Sequence, residues 1–127
     1  MDITEAVARL KDRYPGMTIE GLECKGRQSV AGIEDLIAEA LRFPEDIALC
    51  RTWLAQQPAS SAYAKMWDTL TYKHDVELWA GEWVSHLSFL IAAEMEGWTM
   101  KPHPDRPAAA MLRIKRDVVK PGRSARN

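Results

Sequence analysis

Residues 71–98 constrain the fold of this chain more than any other stretch. Tyr72, Val76, Trp79, Ala80 and Trp83 fall on one face of a helix, Gly81 interrupts, and Leu87, Leu90, Ile91 and Met95 resume the pattern beyond it. Apolar residues three and four apart mark an amphipathic helix. Ser85 has the side chain to cap the second helix, and Gly97 fits the left-handed position just past its end. The spacing predicts a helical hairpin over residues 71–96 at the centre of the protein.

Shorter helices are expected on either side. Ile3, Val7 and Leu10 make a first stripe that Tyr14-Pro15-Gly16 closes. Ile33, Leu36, Ile37, Ala40 and Leu41 make a second, with Glu34 and Asp35 in the first turn, where the helix dipole favours acids. Pro44 ends that helix and opens the next, whose stripe is Ile47, Cys50, Trp53 and Leu54. Ser60 or Ser61 is the expected N-cap of a further segment holding Tyr63, Met66, Trp67 and Leu70. Residues 17–24 half alternate and read as either a short strand or an extended loop, and residues 111–115 alternate weakly. The expected architecture is mainly α: a single small helical domain over residues 1–117 with a central helical hairpin, helix-turn-helix-like in layout. A short two-stranded β element is its possible addition, formed by residues 17–24 and 111–115. Residues 118–127 are expected to form a flexible basic tail, broken by Pro121 and Gly122.

A chain of 127 residues, 46% of them apolar, can bury a core without staples. No run approaches the roughly 18 apolar residues a membrane span needs. The acidic start, Met1 to Glu5, lacks a signal-peptide core, so a cytoplasmic location is expected. Cys24 and Cys50 are not in a CxxC pair and are expected as reduced thiols.

The net charge of −1 hides an asymmetry. From residue 101 onward there are eight basic and two acidic residues, whereas residues 1–100 carry nine basic and sixteen acidic. Arg113, Lys115, Arg116, Lys120, Arg123 and Arg126 are therefore candidate phosphate contacts. The hairpin is a weaker candidate for reading DNA. Glu77 stands where a small residue normally lets two such helices approach. The second helix, from His86 to Glu96, holds two acids and no Lys or Arg. A second candidate surface is acidic and aromatic: Glu77, Trp79, Glu82, Trp83 and Glu94 would suit a basic protein partner, since Trp is enriched at binding hot spots. Surplus Trp on a small helical domain also admits a homodimer.

Signals for chemistry are sparse. His74 and Glu77 have i, i+3 spacing, but no second pair accompanies them at metal-ligand spacing. Cys50 has no motif that orients a base toward it. Gly21, Gly26 and Gly32 lack the spacing of a phosphate loop. Neither an enzymatic activity nor a cofactor is expected.

One segment resembles small proteins of bacteriophages and other mobile elements. The residues that carry the resemblance are Ser61-Ala62-Tyr63, Tyr72-Lys73-His74-Asp75-Val76-Glu77, Ala80-Gly81-Glu82-Trp83-Val84-Ser85 and Phe89-Leu90-Ile91-Ala92-Ala93, about a third of the chain. His86-Leu87 stands where that pattern often carries Asn-Gly. The resemblance implies a mobile-element origin and no particular activity. Small proteins of that origin often regulate or inhibit host machinery, which makes a nucleic acid, or a host defence or transcription protein, the expected target.

Overall fold

The computed structural model describes residues 1–24 and 32–115. Five helices precede a two-stranded sheet: α1 Ile3–Arg13, α2 Ile33–Leu41, α3 Pro44–Ala55, α4 Thr69–Ala80, α5 His86–Met95, β1 Lys101–Pro102 and β2 Ala110–Met111. Among the described residues no helix is long and apolar enough to cross a membrane.

Each helix begins where its sequence supplies a start. Asp2 accepts from the Glu5 amide at 2.8 Å, Asp35 reaches back to the Gly32 amide at 3.2 Å, and Pro44 sits in the first turn of α3. Asp68 caps α4 by accepting from the Leu70 and Thr71 amides, and Ser85 Oγ caps α5 by accepting from the Ser88 amide. Gly81 ends α4 at φ +73° and Gly97 follows α5 at φ +81°, conformations that cost a Cβ-bearing residue energy.

α5 is the axis of the fold. Every residue from His86 to Glu94 is buried, so this helix is enclosed on all sides rather than on one stripe. α3 covers it most extensively, and α1 and α4 flank it. Trp53 of α3, Tyr72 of α4 and Phe89 of α5 meet with ring centroids 6.2–6.4 Å apart. A helix sealed in this way has no face to lay in a DNA groove, which removes the DNA-reading form of the hairpin.

Three local expectations are corrected. Residues 61–68 are not helical, because the chain around them pairs elsewhere. Ser60 N donates to Arg113 O at 2.6 Å, Lys115 N donates to Pro58 O at 2.8 Å, and Ala59 bridges Ile114. The cap is Asp68, eight residues after Ser60. The sheet also has different partners: Lys101 lies opposite Met111 and Pro102 opposite Ala110, antiparallel. Residues 17–24 instead fold into a tight turn, Thr18 bridging Gly21, that docks onto the approach to β2 through Leu22 N to Ala108 O at 2.9 Å. In α2 only Leu36 and Ala40 of the expected stripe are buried; Ile33 and Leu41 face outward.

Candidate nucleic-acid interface

The hairpin turn is held by one carboxylate. Glu77 Oε2 accepts from Lys73 Nζ at 2.8 Å and from the Val84 amide at 3.2 Å, and Glu77 Oε1 lies 2.7 Å from His74 Nδ1. Burial alone would push the Glu77 carboxyl up. The bonds from Lys73, Val84 and His74 outweigh it and hold the group below its ordinary value. Lys73 is only 7% exposed, and its ammonium lies 5.5 Å from the centre of the Trp83 ring. Lys73, His74, Glu77, Gly81, Val84 and Ser85 lie together at this turn. Together they make a single brace: Lys73 and His74 as side-chain partners for the Glu77 carboxylate, a left-handed turn at Gly81, and the Ser85 cap of α5.

That brace divides the expected acidic, aromatic face. Glu94 is 6% exposed and pairs with Arg13 of α1, away from the turn. Glu77 is engaged as described, and Trp79 is half-buried against the core. Glu82 and Trp83 remain at the surface, Trp83 being 65% exposed, and Leu78 on the outer side of α4 is 66% exposed.

The basic candidates gather more coherently. Ile114 is buried through its bridge to Ala59, so the residues on either side of it, Arg113 and Lys115, both project outward. The Arg113 guanidinium lies 4.6 Å from the centre of the Tyr63 ring, and the Lys101 ammonium lies 6.0 Å from the same ring. Three cations and one half-exposed aromatic side chain thus share one surface, built from β1, the chain after β2 and the loop before α4. Arg116, Lys120, Arg123 and Arg126 lie outside the described residues. Arg106 is engaged with Asp68, Nε to Oδ2 at 2.7 Å. Nothing near Tyr63 in the sequence links it to Arg113, fifty positions on; the pairing of residues 58–60 with 113–115 brings them together.

Beside this surface, Tyr14 OH donates to Met100 O at 2.8 Å and walls a cavity of about 280 Å³ with Pro15, Gly16, Glu23 and Cys24. Burial raises the Tyr14 hydroxyl above its ordinary value, and Arg13 partly offsets this.

The candidate nucleophile Cys50 and the buried His86 are both enclosed. Cys50 is fully buried, and burial pushes its thiol up to about 12, far from a reactive thiolate at neutral pH. Thr69 Oγ1 lies 2.7 Å from His86 Nε2, while His86 Nδ1 lies 2.9 Å from Glu20 O. A carbonyl only accepts, so Nδ1 carries the proton, Nε2 accepts from the Thr69 hydroxyl, and that hydroxyl accepts in turn from the Ala110 amide at 3.0 Å. In the chain Ala110–Thr69–His86–Glu20 the first two bonds are buried and the last, to the Glu20 carbonyl, is part-buried. It ties the 17–24 turn, α4, α5 and β2 together. His103 does similar work, Nε2 to Lys65 O at 2.9 Å and Nδ1 accepting from Asp105 N at 3.1 Å. Among the described residues no three His, Cys, Asp or Glu side chains are grouped to hold a metal ion.

Comparison with family models, with curated proteins and with solved structures gives no match.

Proposed function

We propose that this is a non-enzymatic binding protein of a phage or mobile element that acts in the cytoplasm on nucleic acid or a nucleic-acid-associated complex. One observation carries the reading: Lys101, Arg113 and Lys115 stand on one surface with Tyr63, whose ring has two of those cations against it. Fixed cations beside an aromatic ring supply the two ingredients of nucleic-acid affinity, phosphate neutralisation and a stacking face. Arg116, Lys120, Arg123 and Arg126 extend the same charge along the chain.

The test is binding of a fluorescent oligonucleotide by the whole chain across a salt series. Affinity falls linearly with salt on a log–log plot. The Arg113→Ala/Lys115→Ala pair makes the slope shallower by about 0.7 to 0.9 for each phosphate it leaves without a cation. Absence of binding at low salt overturns the proposal.

A second reading is supported by the exposure of Trp83 and Leu78 beside Glu82: a face for a basic segment of a host protein. On that reading Trp83→Ala or Glu82→Lys abolishes partner capture while the helical content stays intact.

A further inference from the structure

We infer that the ligand of the Tyr63 surface is single-stranded nucleic acid, with a base stacked on the platform made by Tyr63 and Arg113 and neighbouring phosphates held by Lys101, Arg113 and Lys115. The inference rests on the nucleic-acid reading above and narrows it to one class of ligand.

Three observations point this way. The first is the ring itself. Arg113 lies over the ring, 4.6 Å from its centre, and Lys101 6.0 Å, so the ring and the guanidinium form one layered, positively charged π-platform. A duplex keeps its bases stacked inside and offers phosphates at its periphery, for which lysines and arginines suffice. An aromatic platform gains energy only from an unpaired base.

The second is what surrounds the ring. Reading a duplex through its major groove takes an exposed helix or a two-stranded ribbon. The elements here are strands of two residues each and the loop before α4, and α5 is buried from His86 to Glu94. The third is rigidity. Ser60 N to Arg113 O, Lys115 N to Pro58 O and His103 Nε2 to Lys65 O fasten the backbone on both sides of Tyr63 to the chain that carries the cations. The platform and its phosphate-binding groups are thereby fixed relative to each other before any ligand arrives, which lowers the cost of ordering them on binding.

The experiment measures affinity of the whole chain for short labelled DNA and RNA strands, for the matching duplexes, and for single strands carrying abasic sites, all at one low salt concentration. Single strands bind tighter than duplexes, and each removed base that had stacked costs about fivefold to a hundredfold. The DNA and RNA arms decide which sugar the surface favours. Tyr63→Phe retains the affinity and Tyr63→Leu lowers it by about the same factor as removing the stacked base, with the salt slope of both unchanged. Duplexes bound as tightly as single strands, or abasic strands bound as tightly as intact ones, overturn this inference while leaving the electrostatic reading in place. No binding of any oligonucleotide removes both. The abasic arm needs no variant, so it decides the matter even if Tyr63→Leu does not fold.

Discussion

Replacing Glu77 by Ala tests the brace that organises the hairpin. The side chains of Lys73 and Glu77 are 9% and 16% exposed, so solvent screens their attraction little and removal of one leaves the other stranded. Breaking such a pair by truncating one member costs about 3–5 kcal/mol when fully buried. Lys73 keeps its contact with the exposed Trp83 ring and a flexible stem that reaches toward water, which reduces the loss. The Val84 amide loses its acceptor, worth about 1 kcal/mol or more if water does not replace it. The net expectation is a loss of about 2–4 kcal/mol. For a domain of this size that is a fall in melting temperature of roughly 8–15 °C. Glu77→Gln keeps an acceptor for Lys73 and Val84 and falls between wild type and Ala. Lys73→Met/Glu77→Leu recovers much of the loss, because neither charge is then buried alone. Thermal and urea unfolding followed by far-UV circular dichroism read all four proteins. An Ala variant within about 0.5 kcal/mol of wild type, the range of an ordinary surface change, refutes the brace.

Other parts of the structure make equally definite predictions. A Cβ on Gly21 would collide with the Ala108 carbonyl oxygen and come within 2.7 Å of its carbon, both backbone atoms. Gly21→Ala therefore forces the 17–24 turn off Ala108 in the approach to β2 and costs about 2–4 kcal/mol by urea titration. Gly16→Ala, where the nearest atoms are 4.0 Å away, is the contrasting control. Burial holds the His86 ring below its ordinary value of 6.5, so the unfolded chain takes up the proton first. Stability is therefore full above about pH 6.5 and falls as the pH drops from there toward the depressed folded value. His86→Gln flattens that slope in denaturant titrations between about pH 7 and 5. Glu77 adds a separate loss as the pH falls below its ordinary carboxyl value of 4.5, since its folded value is also lowered. In the native protein Cys50 resists alkylation that Cys24, half exposed, accepts, as mass spectrometry after a maleimide pulse would show; equal labelling of both contradicts the placement of Cys50.

The hairpin was legible because each signal for it is local. The helical spacing of Tyr72 and Val76, the stop at Gly81 and the cap at Ser85 all act within a turn or two. The absence of charge along residues 86–93 was legible too, and burial of α5 on all sides is its physical meaning. Glu77 looked wrong for a DNA-reading hairpin, and its partners explain why it is there: it bonds the Val84 amide across the turn instead of letting the helices close. What the sequence hides is set by contacts between distant segments. Tyr63 and Trp67 carry helical spacing, yet residues 58–60 give their backbone groups to residues 113–115, and no local signal reports that. The same pairing makes the Tyr63–Arg113 surface, so Tyr63 and Lys101 joined the candidate site only in three dimensions. Ile33 and Leu41 kept the period of a buried stripe although α2 buries only Leu36 and Ala40, because α2 packs at the edge of the core against α1 and α3.

The most direct test of where this protein works is a titration of the isotopically labelled whole chain with a short DNA or RNA strand, followed by amide and indole NMR shifts. If the protein works through the Tyr63 surface, the changes cluster at Tyr63, Lys101, Arg113 and Lys115 and leave Leu78, Glu82 and the Trp83 indole unmoved. Changes centred on Trp83 and the hairpin turn, with Tyr63 and Arg113 silent, would contradict that placement.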